Sequence, residues 1–256
     1  MSGRTAIITG GLTGIGLASA VALQNAGHNV AVGSRRGTDD PETADIAHNE
    51  LGCGAWIGKL DVANDDSIAA FVGETEKRFG RPTILVNSHG VYQEAEISGH
   101  PDDAWFDQID INLNGVFRMI RAVFPGMIEE HHGRIVNISS TAGHVGAAKY
   151  AAYCASKAGV IGLSKAVAVE GAPHNITCVS VSPTWIDTPM MERATLRHAK
   201  AKEITPTEAR TNLESSNPQG RLVQPGEIGE LVAFCCSDAS PALTNEDIQV
   251  NAGALW

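Results

Sequence analysis

The chain has 256 residues, 43% of them hydrophobic, enough to bury a large core in one α/β domain. Its formal net charge is -10 and no Lys/Arg run exceeds the pair Arg35-Arg36, so it offers no extended positive surface to nucleic acid or an acidic membrane, and small molecules are the expected partners. The five cysteines (Cys53, Cys154, Cys178, Cys235 and Cys236) form no pair of C-x-x-C motifs and have no nearby histidines, which argues against a zinc site or a disulfide framework.

An apolar run over residues 5–9 predicts the first strand, and its break at Gly10-Gly11 leaves no room for a signal peptide. No apolar stretch approaches the roughly 20 residues of a membrane span, so the expected location is cytoplasmic. Further strands are expected over residues 29–33, 55–59, 84–87, 134–138, 176–182 and 248–251. Helical patterns alternate with them over residues 14–26, 40–51, 65–79, 102–130, 151–171 and 225–236, several opened by Asp and stopped by Gly. Such alternation predicts a seven-stranded parallel sheet with helices on both faces, a doubly wound Rossmann fold. No repeat or linker divides the series, so residues 1–256 are expected to form one dinucleotide-binding catalytic domain. The irregular polar stretch 188–218 follows the sixth strand, where open sheets carry ligand-covering loops. It is expected to be a substrate lid, with a surface excursion of no role as the alternative.

The segment Thr9-Gly-Gly-Leu-Thr-Gly-Ile-Gly16 joins the first strand to the first helix, so Gly10, Thr13, Gly14, Ile15 and Gly16 are expected at a pyrophosphate. Glycines let the backbone approach the anion, and a helix N-terminus presents free N–H groups. The second strand ends in Val30-Ala-Val-Gly-Ser-Arg-Arg36 with no acidic residue to bind a ribose hydroxyl. Ser34, Arg35 and Arg36 can instead grip a 2′-phosphate, which favours NADP(H) over NAD(H). The competing view is a solvated surface Arg pair.

Tyr153 and Lys157, four apart in a helical pattern, share one face. A fixed ammonium, together with an oxidised nicotinamide, favours the phenolate and lowers its pKa, making Tyr153 a proton donor or acceptor. Taken alone, such a pair is common on helices. Upstream, Val136-Asn-Ile-Ser-Ser140 places two hydroxyls, Ser139 and Ser140, at the carboxyl edge of the sheet, where one of them can hold a substrate oxygen or merely form a turn.

With these residues in place, the chain resembles the short-chain dehydrogenase/reductase family over essentially its whole length, and in particular NADP-dependent ketone reductases and 3-oxoacyl-ACP reductases. The family's T-G-x-x-x-G-x-G turn matches Thr9, Gly10, Gly14 and Gly16, and its Asp-Val matches Asp61-Val62, which the resemblance places at the adenine. Its N-N-A-G stretch reads Asn87-Ser-His-Gly90 here, so Asn87, Ser88 and Gly90 keep a cofactor-side role while His89 replaces a small residue. Family spacing selects Ser140 over Ser139, and the family's helix asparagine matches Asn112. The resemblance implies that Lys157 holds the cofactor ribose and lowers the Tyr153 pKa, Ser140 steadies the carbonyl oxygen, and Asn112 holds a relay water. Pro183, Ile186 and Thr188 match residues that meet the carboxamide, with Thr184 in place of Gly and Trp185 brought to the pocket mouth. Trp185 could select a bulky ketone or simply pack. His144, Lys149 and Tyr150 could line the cleft or face solvent. Near the C-terminus, Asn251-Ala-Gly-Ala-Leu-Trp256 has one glycine where relatives often have D-G-G.

The reading that follows is an oxidoreductase moving a hydride between NADP(H) and a ketone or secondary alcohol, assembled as a homotetramer or homodimer by family analogy. Two alternatives are weaker. A cofactor-sensing protein without turnover has no need for Asn112, Ser140, Tyr153 and Lys157 together, and an epimerase or dehydratase needs a larger substrate domain. No metal site is expected.

Overall fold

β-Branched runs bounded by turn residues form the strands because both faces of a central parallel sheet are buried. The computed structural model describes residues 3–254. Leu255 and Trp256, at the C-terminal stretch noted above, lie outside them. The strands are β1 (Thr5–Thr9), β2 (Asn29–Ser34), β3 (Ala55–Lys59), β4 (Pro82–Asn87), β5 (Gly133–Ile138), β6 (Ile176–Pro183) and β7 (Asp247–Val250). All pair in parallel, in the order β3-β2-β1-β4-β5-β6-β7. The order reverses between β1 and β4, and a crevice opens there at the carboxyl ends of the strands, the usual ligand position in such sheets.

The two-residue side-chain period sorts the core into two layers. Ile8, Val30, Val32, Ile84, Val86 and Val181 pack against α1 (Gly14–Asn25), α2 (Pro41–Leu51) and α9 (Pro225–Cys236). Ile7, Ala31, Leu85, Ile135 and Cys178 pack against α3 (Asp65–Phe79), α5 (Gly115–Glu129) and α6 (Ala151–Gly171). The expected doubly wound architecture is therefore the observed one.

Two regions depart from the sequence expectation. The helical run 102–130 is not one helix. After α4 (Asp102–Ile109) it widens into a π-helical turn over Asp110–Asn114 before α5 begins. Inserting a residue into a helix rotates the chain and frees backbone groups from the regular ladder, a distortion common at functional sites. Here it buries Asn112 completely. The stretch after β6 folds as two helices, α7 (Pro189–Lys202) and α8 (Pro206–Ser215). Thr188 caps α7 through Met191 N, and Thr205 with Glu208 forms a capping box on α8.

Candidate active site

The crevice is a cavity of about 690 Å³ running from the β1–α1 turn to α7. Its floor at one end is the glycine turn, where Gly10 and Gly14 have positive φ (64° and 55°), a conformation that suits residues without a Cβ. Helices α2, α3, α7 and α8 each have a capping side chain, whereas α1 has none: Thr13 makes no cap hydrogen bond and no acidic residue occupies the first turn. Its first N–H groups are left to an anion, which fits a dinucleotide pyrophosphate. Gly16 lies behind the turn, where a Cβ would sit 2.4 Å from Gly10 O.

Ser34, Arg35 and Arg36, expected at the adenosine ribose, line the cavity with Asp61 and Val62. Arg36 is not a free cation, because its Nη1 pairs with Asp40 at 2.9 Å. Asp40 is the N-cap of α2 and its carboxyl lies below the usual range, mainly through hydrogen bonding to Arg36. Arg35 is exposed with no ion-pair partner among the described residues. Asp61 accepts from Ala63 N at 3.0 Å, which fixes the turn after β3.

Ser88 and Gly90 face the cavity, whereas Asn87 does not. Asn87 is 1% exposed and donates from Nδ2 to Asn137 Oδ1 across the sheet at 2.8 Å. Asn112 likewise stands behind the wall. Its Oδ1 accepts from Val91 N at 2.8 Å, and its Nδ2 donates to Val91 O at 2.9 Å and to Ser156 Oγ at 3.2 Å. These bonds tie the π-turn to the post-β4 loop and to α6.

Ser140, Tyr153 and Lys157 converge in the middle of the cavity. The two serines left open by sequence separate here. Ser139 Oγ is buried and donates to Lys157 O at 2.8 Å, while Ser140 Oγ, accepting from Ala142 N at 3.1 Å, stands beside the Tyr153 phenol. Tyr153 and Lys157 lie one turn apart in the first turns of α6, with Lys157 Nζ 5.8 Å from the Tyr153 ring centroid. Lys157 Nζ donates to Ile138 O at 2.8 Å. Burial pushes the Lys157 ammonium down to about 8. Burial also pushes the Tyr153 phenol up to about 12, with the Ser140 hydroxyl pulling the other way. The expected lowering of the Tyr153 pKa by Lys157 is thus absent from the protein alone, since the ammonium is turned toward a carbonyl.

Pro183, Ile186 and Thr188 line the far wall. Thr184 replaces a glycine without strain, because its φ is not positive, and its hydroxyl bonds Asn217 Oδ1 at 3.3 Å. Trp185, Tyr150, Met190 and Met191 also reach the cavity, whereas His144 pairs with Asp247 at 2.7 Å and Lys149 with Glu96 at 3.1 Å. Sequence reasoning missed Tyr92, which lines the cavity with its ring 4.9 Å from Tyr150 and 5.4 Å edge-on from Tyr153. Its place just after β4, at the switch point, was the available signal.

A family model described as Enoyl-(Acyl carrier protein) reductase matches residues 10–254. A solved short-chain type dehydrogenase/reductase from Mycobacterium marinum superposes with a TM-score of 0.87 at 32% identity, covering 98% of this chain and 95% of that one. The chain belongs to the short-chain dehydrogenase/reductase family. Among its relatives, a ketoacyl reductase of the monensin polyketide synthase from Streptomyces virginiae is 38% identical, covering 98% of this chain and 96% of that one. The 3-oxoacyl-(acyl-carrier-protein) reductase of Pseudomonas aeruginosa is 35% identical, with 99% and 98% covered. A variant of actinorhodin polyketide ketoreductase, solved with NADPH, matches with a TM-score of 0.93 at 34% identity, covering 99% and 98%. This short-chain dehydrogenase/reductase is accordingly an oxidoreductase acting on CH–OH or carbonyl groups with NAD(P). Among the described residues no helix is long and apolar enough to cross a membrane.

Proposed function

We propose that the protein reduces a small-molecule ketone with NADPH, using Tyr153 as the proton donor. The observation that carries this reading is the meeting of Ser140, Tyr153 and Lys157 in one cavity with an uncapped helix N-terminus at its other end. A bound nicotinamide supplies the hydride. The chain's own residues do the rest. Ser140 Oγ holds the carbonyl oxygen. Tyr153 Oη, kept protonated by burial, donates its proton as negative charge develops there. Lys157, a buried ammonium, holds the ribose and offsets charge on the phenolate left behind. Asn112 acts through the π-turn: its side chain is committed to Val91 and Ser156, so a relay water is left to the backbone of that turn.

The preference for NADPH rests on Arg35 and Arg36 at the adenosine end, with Asp40 releasing Arg36 to a 2′-phosphate. A guanidinium can grip that phosphate with several donors, and no carboxylate at the end of β2 stands ready for a free ribose hydroxyl. The helices α7 and α8, spanning the 188–218 stretch, form the lid over the ketone. Trp185, Tyr92, Tyr150 and Met190 give that end a flat apolar lining. The NADPH-bound ketoreductase among the structural neighbours supports the same cofactor.

The test is the nicotinamide absorbance with NADPH or NADH and a panel of ketones. Oxidation of NADPH is expected, with at least about a 100-fold loss of kcat in Tyr153→Phe and a shift toward NADH in the Arg35→Ala/Arg36→Ala double variant. Preferential use of NADH by the wild type would remove the Arg argument. Binding of both cofactors with no turnover on any ketone would favour a sensing role.

A further inference from the structure

We infer that His89 is a positioning residue, a neutral strut that holds the Asn112 turn against the end of β1 and so sets the geometry around Lys157. The inference rests on the ketone-reductase reading above, because it concerns the same site. His89 stands between Ser88 and Gly90, where family members have a small residue, and composition or periodicity gives it no role. The structure gives it two partners from distant parts of the chain. Its Nδ1 lies 2.6 Å from Thr9 Oγ1 at the end of β1, and its Nε2 lies 3.1 Å from Ile111 O inside the π-turn.

The partners fix its protonation. A carbonyl oxygen can only accept, so Nε2 carries a proton donated to Ile111 O. Thr9 Oγ1 accepts from Ser88 N at 3.1 Å, and of the two acceptors within reach of its hydroxyl proton, His89 Nδ1 at 2.6 Å is much nearer than Val86 O at 3.4 Å, so the proton goes to Nδ1. Both ring nitrogens are then satisfied with the imidazole neutral. Burial, and next the Lys157 ammonium, hold the ring in that state by lowering its pKa to about 3. A charged ring beside a buried ammonium would be repelled.

The strut occupies a narrow place. A Cβ on Gly115, the first residue of α5, would sit 2.9 Å from His89 Nε2, and one on Gly10 would sit 2.8 Å from His89 Cα. The Gly10 turn therefore presses on the His89 backbone and the start of α5 on its ring, while the residue also borders the cavity. The neighbouring Gly90 places its own backbone beside both Asn112 and Lys157, since a Cβ there would lie 3.4 Å from Asn112 Oδ1 and 3.7 Å from Lys157 Nζ. A π-turn has fewer regular backbone bonds to hold it than an α-helix. His89 supplies one from outside, on the carbonyl directly before Asn112. Without it, water enters beside Lys157, and a better-solvated ammonium regains a higher pKa.

The test compares His89→Gln, which can still donate to Ile111 O and accept from Thr9 Oγ1, with His89→Leu, which fills the space with no hydrogen bond. In His89→Leu, kcat is expected to fall about tenfold with the ketone KM changed by less than about threefold, and the alkaline limb of the pH–rate profile to move up. His89→Gln is expected to recover most of both. Amide hydrogen exchange over residues 110–114 supplies a readout that needs no turnover: it should quicken in His89→Leu and stay near wild type in His89→Gln. Should the wild type turn over no ketone, the proposed reaction fails while the exchange comparison still decides the strut. Equal behaviour of the two variants, in exchange or in rate, would overturn the inference and leave His89 as packing alone.

Discussion

Lys157 shows at the scale of one residue how a site is maintained against stability. Its side chain is 4% exposed and its ammonium is answered by one carbonyl, Ile138 O, and no carboxylate. Burial lowers its pKa from 10.5 to about 8 in the folded protein. The unfolded chain therefore holds the proton more tightly, so the cost of burying the ammonium is full below pH 8 and shrinks as pH rises toward 10.5. That shift corresponds to at most about 3 kcal/mol, offset in a Lys157→Met variant by about 1 kcal/mol for the Ile138 carbonyl left without a donor. Lys157→Met should thus be more stable than wild type at pH 7 by about 1–2 kcal/mol, lose turnover, and lose its stability advantage near pH 10. Calorimetric melting at the two pH values checks this. A variant less stable than wild type at pH 7 would show that the ammonium is better compensated than its contacts indicate.

At the scale of elements, Arg210 of α8 ties down the segment proposed above as a lid. Its guanidinium meets both oxygens of Asp187 at 3.1 and 2.8 Å and Glu214 at 2.9 Å, and the pairing holds the Asp187 carboxyl below the usual range. Asp187 sits between Ile186 and Thr188, so this pair joins α8 to the wall of the cavity. The groups are partly exposed, and the link contributes about 1 kcal/mol or less. Arg210→Ala should accordingly leave Tm almost unchanged yet raise the ketone KM about three- to tenfold, with a smaller effect on NADPH affinity. Steady-state kinetics decide it, and equal losses for ketone and cofactor would argue that α8 is no lid. The strands and most helices were legible because their signals are local: β-branched runs, glycine turns, Asp and Asn caps. The π-turn was not, since a one-residue insertion leaves the apolar pattern of 102–130 continuous, and Asn112's partner Ser156 lies 44 residues away. The Arg36–Asp40 pair had a readable i,i+4 spacing, but its meaning depended on Asp40 being the cap of α2. His89 was unreadable because both its partners come from other elements.

For the whole molecule, acid is the direction in which the fold is weakest. Burial is the first cause holding His89 at about 3 and His132 at about 4, and it lowers His28 as well; Arg134 and Arg4 add to the effect on His132. Each imidazole has a folded-state pKa below its ordinary 6.5, so the unfolded chain takes up protons first and stability falls as pH drops from about 6.5 toward 4. The paired carboxylates act lower. Glu227 is held at about 2 and Asp110, Asp187 and Asp238 below their usual range, chiefly by hydrogen bonds to arginines. Their contribution persists above the ordinary carboxylate range and is lost only beneath it. Two stages of acid destabilisation should therefore be separable. The melting temperature is expected to fall by about 5 °C between pH 6.5 and 4.5, then more steeply below 4. His132→Gln removes an imidazole whose Nε2 has no partner and whose cationic neighbours Arg134 and Arg4 outweigh Asp238, so it should flatten the first stage and leave the second in place. A melting temperature constant from pH 6.5 to 4.5, or an unchanged slope in His132→Gln, would assign the acid lability to the carboxylates instead.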